Sequence, residues 1–290
     1  MPHQAAAKQS SDTQWRFGTA QLATGIRLHY AEQGYGEPMV FLHGWPDSWF
    51  SFSQVLRLLP AEFRVYALDQ RGFGDSERAV DGYAIASLAT DVRAFLDAVG
   101  VECATVVGHS FGSFVARRLA IAHPERVARL VLIGSGLPAL NAVTREVQER
   151  LKDLPDPVPP AFAREFQAGT VHLPVPEAFF ERIIFESLKL TAHLWREALD
   201  NLLAYEDATQ LVRIAAPTLV LWGDRDALFP RADQEGLVAA IPDATLKIYR
   251  DTGHCPNWER PEAVAADLCA FMQEPAYSGS SGKTGRFSFS

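Results

Sequence analysis

The sequence predicts an α/β fold: a mostly parallel sheet covered by helices on both faces, with an inserted helical segment. Three observations point to it. Short runs rich in β-branched and aliphatic residues alternate with stretches of helical period. Those runs are apolar almost throughout, as strands buried on both faces are. The alternation also stops over one long stretch and then resumes.

Met39 to Leu42 and Arg64 to Leu68 read as the first strands of that pattern. Ile85 to Val99 reads as a helix, because apolar residues recur at 85, 88, 92, 95, 96 and 99 and Gly100 follows as a stop. Ala104 to Val107 is a strand, and Phe111 to Ala122 is a helix ended by His123-Pro124, since proline disfavours helix in its predecessor. Leu130 to Ile133 is again a strand. From 136 to 207 no convincing strand occurs; a Pro-rich patch, Leu154 to Pro160, leads into helical patterns at Pro176 to Leu188 and Thr191 to Ala204. Strand and helix then alternate through Pro217 to Trp222, Arg231 to Ala240, Ala244 to Tyr249 and Pro261 to Met272. The expected organisation is a core of residues 15–135 and 208–273, a helical cap of 136–207, and loose tails at 1–14 and 274–290.

Composition narrows the partners. Against 27 Lys plus Arg stand 35 Asp plus Glu, a formal charge of -8 that opposes attraction to phosphate backbones or anionic lipid, so neither nucleic acid nor membrane is an expected partner. No apolar stretch reaches the ~18 residues of a membrane span, and the first fourteen residues lack the apolar region of a secretory signal. Cys103, Cys255 and Cys269 are odd in number and contain no C-x-x-C, which argues against a disulfide framework or a cysteine-based metal site and makes the reducing cytoplasm the expected compartment. Nothing in the sequence selects an oligomeric state.

The sharpest chemical signal is Gly108-His109-Ser110-Phe111-Gly112, a G-x-S-x-G between a strand and a helix. That context is the one in which a strained turn projects a serine hydroxyl at the head of a helix. A serine hydroxyl is a weak nucleophile, so it needs a base and a group to orient that base. His254, preceded by Gly253 and lying just after the strand Ala244 to Tyr249, is the candidate base. His43, His109 and His123 have simpler structural readings. For the acid, Asp224 and Asp226 both follow the strand ending at Trp222; the G-x-x-D spacing favours Asp226, leaving Asp224 to the turn. Oxyanion donors are expected from the backbone N–H of Phe111 and from that of Trp45, in the loop His43-Gly44-Trp45-Pro46-Asp47-Ser48.

In order along the chain, His43-Gly-Trp-Pro46, Asp69-Gln-Arg-Gly-Phe-Gly-Asp-Ser76, Gly108 to Gly112, Gly223 to Asp226 and Gly253-His254 resemble the α/β-hydrolase fold superfamily. The resemblance spans about Trp15 to Met272 and lies with the branch that has an HGxP loop and a helical cap, which includes esterases, epoxide hydrolases, haloalkane dehalogenases and perhydrolases. It implies a triad of Ser110, Asp226 and His254, oxyanion donors at Trp45 and Phe111, a cap formed by the insertion, and a structural turn at Asp69 to Ser76. Epoxide hydrolases and dehalogenases of this branch carry aspartate where this chain has Ser110, and the cap tyrosines used on epoxides have only Tyr205 as a counterpart here.

The expected activity is therefore cofactor-free and metal-free hydrolysis of small to medium hydrophobic esters or lactones through an acyl-enzyme, slowing in acid as His254 takes up a proton. Carbon–carbon bond hydrolysis and perhydrolysis use the same triad, and a noncatalytic small-ligand receptor is a third alternative. Trp45, Phe111, Phe179, Phe180 and Trp195, with Phe185 and Leu188, are candidates for an apolar pocket, against the plainer reading of helix packing.

Overall fold

The computed structural model describes residues 15–274 and the strand at 286–289; the expected loose N-terminal tail, 1–14, lies outside the described residues. The chain opens with an antiparallel hairpin of β1 (Arg16–Gln21) and β2 (Arg27–Gln33), continues into β3 (Glu37–Leu42), and after a 3-10 turn forms the short α1 (Ser53–Leu56) and then β4 (Phe63–Leu68). Helix α2 (Ile85–Ala98), β5 (Ala104–His109), α3 (Phe111–Ala122) and β6 (Val127–Ile133) follow. Four helices then stand together: α4 (Ala142–Leu151), α5 (Pro160–Ala168), α6 (Glu177–Ser187) and α7 (Ala192–Leu203). The sheet resumes with β7 (Thr218–Gly223), α8 (Arg231–Ala240) and β8 (Ala244–Tyr249), then α9 (Pro256–Glu259), α10 (Pro261–Gln273) and β9 (Arg286–Phe289).

The nine strands form one sheet in the order β1-β2-β4-β3-β5-β6-β7-β8-β9, parallel from β4 onward and antiparallel only where β2 meets β1 and β4. The α/β class read from the alternation is thus the fold. Its parallel centre explains the apolar runs: β5 and β7 are buried at every position. One core lies on the face covered by α2, α3 and α8, and the other on the face covered by α1 and α10.

One expectation needs correction, and one element adds to the sequence reading. The sequence pattern assigns nothing to 16–33, where the hairpin stands. The tail expected to be loose at 274–290 holds a strand: Arg286–Phe289 pairs in parallel with β8, from Thr245–Arg286 to Ile248–Phe289, while 275–285 and 290 lie outside the described residues.

The inserted segment leaves the sheet after β6 and returns before β7, so it sits over the carboxyl ends of the parallel strands, where loops of such sheets gather. Arg117 of α3, fully buried, fixes both stems of the insertion. Its guanidinium donates to Asp207 (2.9 and 3.0 Å) at the returning stem and to the Gly136 carbonyl (2.6 Å) at the departing one. The stretch Asp69 to Ser76 is structural, as expected: the Asp69 carboxylate accepts from the amides of Trp49 and Asp75, its oxygens also meet His29, and Ser76 Oγ donates to the Asp69 carbonyl.

Candidate active site

β5 delivers the chain to Ser110 at the sheet's carboxyl edge, and α3 begins at the next residue. Ser110 has φ 48 and ψ -117, a backbone conformation that costs a non-glycine residue roughly 1–3 kcal/mol. Its amide donates to the Ile133 carbonyl (2.9 Å), which ties the turn to β6. The flanking glycines are required by contact. A Cβ on Gly108 would stand 2.4 Å from the Gly112 carbonyl oxygen, and one on Gly112 would stand 2.1 Å from that of Leu42. The G-x-S-x-G spacing is thus the spacing of a turn whose two arms touch.

The loop after β7 places Asp226. Its Oδ1 accepts from the amides of Leu228 (2.8 Å) and Phe229 (3.1 Å), which locks the carboxylate, and its Oδ2 lies 2.9 Å from Nδ1 of His254. With Oδ1 occupied by two donors, the remaining oxygen is left to receive an imidazole Nδ1–H, which exposes the lone pair on Nε2. Asp224, by contrast, is exposed, and its one ion-pair partner among the described residues is Arg225 (3.8 Å). His254 is buried and its Nε2 has no hydrogen-bond partner among the described residues; its amide donates to the Thr170 carbonyl (2.8 Å), so the insertion's own backbone fixes the loop that carries it.

Of the expected oxyanion donors, neither the Trp45 nor the Phe111 amide takes part in a hydrogen bond among the described residues. Phe111 N is at the first position of α3, where helix amides lack internal partners. The other two histidines of the area are structural. His43 is held neutral, burial lowering its pKa to about 4; it accepts from the Gln70 amide at Nε2 (3.1 Å) and so donates from Nδ1 to the Gly44 carbonyl (2.7 Å). Burial likewise lowers His109 to about 3, and its Nε2–H donates to the His254 carbonyl (3.2 Å).

Above Ser110 lies a cavity whose empty space, counted together with its opening to solvent, is about 520 Å³. Trp45, Leu228, Phe229 and Trp258 line it from the core, and Val147, Phe166, Leu199 and Leu202 from the insertion, with Asp47 and Gln167 as polar points. No lysine or arginine is among the described residues that line it.

The pocket residues read from sequence are largely corrected. Trp45 lines the cavity, but Phe111 is fully buried against Phe73, and Phe180 packs into the core. Phe179 stacks on Phe50 and meets Trp258 edge-on, away from the opening. Trp195 stands behind the wall, edge-on to Trp45, Phe162 and Phe166. Phe185 is exposed and Leu188 packs against the core. An apolar helix face must be buried, but sequence does not say whether against a cavity or against another side chain. The wall residues outside the sequence reading come from α4, α5 and α7 of the insertion and from Leu228, Phe229 and Trp258 of the core. α4 is rich in charge, and α5 begins inside the Pro-rich patch, where Pro160 at the first helical turn was a legible start signal.

Metal ligation finds little support. Among the described residues one three-residue cluster, His29, Asp69 and Asp75, brings possible ligand atoms together, but the amides and Ser76 network described above and Lys189 (2.7 Å from Asp75) already engage it. All three cysteines are free, and no helix is long and apolar enough to cross a membrane among the described residues.

Comparison with known proteins agrees with the fold. Residues 37–261 match the family model described as alpha/beta hydrolase fold. The chain is 29% identical over 273 residues to a 2-hydroxy-6-oxononadienedioate/2-hydroxy-6-oxononatrienedioate hydrolase of Pseudomonas putida, covering 86% of this chain and 92% of that one. It is 31% identical over 284 residues to a non-heme chloroperoxidase of Streptomyces lividans, covering 88% and 99%. An esterase from Exiguobacterium antarcticum superposes with a TM-score of 0.82 at 22% identity, covering 89% of this chain and 100% of the esterase, which is a likeness of fold. By its sequence, its sheet and the turn at Ser110, this chain belongs to the alpha/beta hydrolase fold family.

Proposed function

We propose that the protein is a serine hydrolase of uncharged carboxylic esters or lactones, acting through an acyl-enzyme. The observation that carries the substrate class is the cavity wall: aromatic and aliphatic side chains surround Ser110, and no cation among the described lining residues would receive a substrate carboxylate. Burying an unpaired carboxylate there would cost several kcal/mol. The Pseudomonas putida relative is named for a dioate, a substrate with two carboxylates. Its identity over most of both chains favours carbon–carbon bond hydrolysis as the second reading, and the lack of a cation among the described lining residues is what favours the ester reading.

In the proposed cycle Ser110 Oγ attacks the scissile carbonyl while His254 Nε2 takes the hydroxyl proton and Asp226 steadies Nδ1–H. The oxyanion settles against the amides of Trp45 and Phe111, where the start of α3 adds partial positive charge. Collapse expels the alcohol, which receives its proton from His254. Water then attacks the acyl-enzyme with His254 as base, releasing the acid and restoring Ser110.

The test is fluorophosphonate labelling of wild type and Ser110→Ala, coupled to a panel of aryl esters, alkyl esters, lactones and a vinylogous diketone. Labelling confined to Ser110 with turnover of an ester or lactone is expected. Labelling with turnover of the diketone alone would transfer the assignment to carbon–carbon bonds, and undiminished turnover in Ser110→Ala would remove the triad.

A further inference from the structure

Asp47 is a carboxylic acid set into the wall of the apolar cavity over Ser110, and the catalytic cycle above makes no use of it. Only 2% of its surface is exposed. Its two oxygens are not equivalent. Oδ1 accepts from Nε2 of Gln167 in α5 (2.9 Å), and Oδ2 has no hydrogen-bond partner among the described residues. The direction of that bond is fixed from behind. The Gln167 amide also donates to Ser187 Oγ (2.9 Å), whose single hydrogen is committed to the Ile183 carbonyl (2.9 Å). Both Gln167 amide hydrogens are therefore spent, one on Asp47, and Oδ1 must act as the acceptor. When the carboxyl is protonated, its hydrogen belongs on Oδ2, at the cavity wall.

We propose that Asp47 is a specificity-determining residue that donates from Oδ2 to a second oxygen of the substrate, so that the site prefers esters or lactones bearing a keto, ether or hydroxyl oxygen beside the scissile group. This rests on the ester hydrolase reading above. Protonation at neutral pH is consistent with the surroundings: burial pushes Asp47 up to about 7, against the opposing hydrogen bond from Gln167. The titratable groups facing it are His254 and Cys255 from the loop after β8, His109 from β5, and Glu186 from α6. Glu186 is itself paired with Arg182 and Lys189, and His109 stays neutral. No cation competes for the free oxygen among the residues lining the cavity. A substrate oxygen that accepts from Oδ2 would keep the acid protonated, whereas a plain hydrocarbon chain at that point leaves the donor unsatisfied, a difference worth roughly tenfold in kcat/KM.

The experiment compares ethyl pentanoate with ethyl 3-oxopentanoate and ethyl 4-oxopentanoate at pH 6 and pH 8.5 in wild type, Asp47→Leu and Asp47→Asn. The readout is the keto-to-plain ratio of kcat/KM within each protein, which cancels general losses of activity. In wild type the ratio for at least one keto ester is expected to fall about tenfold from pH 6 to pH 8.5, as the donor is lost and an anion replaces it. Asp47→Leu should have the low ratio at both pH values. Asp47→Asn, a donor that does not titrate, should keep a high ratio at both, which a merely structural role would not produce. Turnover of ethyl pentanoate with ratios that neither pH nor either substitution moves would overturn the role of Asp47 alone. Absence of turnover of all three esters by wild type would overturn the hydrolase reading and this proposal with it. If Asp47→Leu does not fold, the pH dependence of wild type against Asp47→Asn decides the matter.

Discussion

Asp226 and His254, 28 residues apart in sequence, meet side by side at 2.9 Å because two neighbouring strands, β7 and β8, end at the same edge of the sheet. The neighbouring acid, Asp224, starts from the same loop and points outward. Asp226→Asn is expected to lower kcat by about 10⁴, since an amide at Oδ2 no longer enforces the imidazole tautomer. Asp224→Asn should remain within about twofold of wild type. Steady-state kinetics on one ester decide between them, and equal losses would mean that the acid has been misassigned.

The strained backbone at Ser110 separates stability from activity. Ser110→Gly removes the proposed nucleophile and also the steric cost of φ 48, so the variant should be inactive yet more stable by about 1 kcal/mol. Ser110→Ala should be equally inactive without that gain. Chemical denaturation of both variants is the measurement, and an alanine variant as stable as the glycine variant would show that the turn is not strained.

Arg117 and Asp207 are both buried, and their pairing holds the two stems of the insertion against the helix that follows Ser110. Asp207→Asn leaves a buried guanidinium without its counter-charge, a change that typically costs about 3–5 kcal/mol. Urea unfolding should show a loss of that size. A loss below about 1 kcal/mol would mean that solvent reaches the pair.

His43 and His109 make the fold sensitive to acid. Both are neutral in the folded protein, lowered by burial from 6.5 to about 4 and about 3, whereas in the unfolded chain they bind protons near 6.5. Where the unfolded state holds more protons, stability falls as pH falls. Their contribution is thus complete above pH 6.5 and is lost as pH drops from there towards 4, by up to about 1.4 kcal/mol per pH unit for each histidine. A series of unfolding curves from pH 8 to pH 4 should bend downward near 6.5, and His43→Leu, though less stable at pH 8, should show the shallower decline.

Much of this arrangement was legible because it is written in short, local constraints. The turn at Ser110 needs glycines two residues to either side, and the buried parallel strands need unbroken apolar runs, so both could be read from neighbouring letters. The choice of Asp226 over Asp224 also followed from spacing. The cavity wall did not, because it depends on which neighbour each helix face meets. Phe179 and Trp195 carry the apolar mark of burial yet bury against Phe50 and Phe166, while Val147, in the charged α4, reaches the opening. The hairpin of β1 and β2 carries little β signal for a related reason: β1 buries only Ala20, β2 mixes buried with half-buried positions, and both have charged or polar ends, so neither shows a clean period of two.

The floor and the roof of the cavity come from separate stretches of the chain. Ser110, Asp226 and His254 sit on core loops, whereas Val147, Phe166, Leu199 and Leu202 belong to one uninterrupted insertion. Descendants of this gene can therefore change diet by rewriting the roof while inheriting the chemistry intact. That freedom is narrowest at Gln167 and Thr170, where the roof grips Asp47 and the backbone of His254, so drift there would be felt in the machinery below.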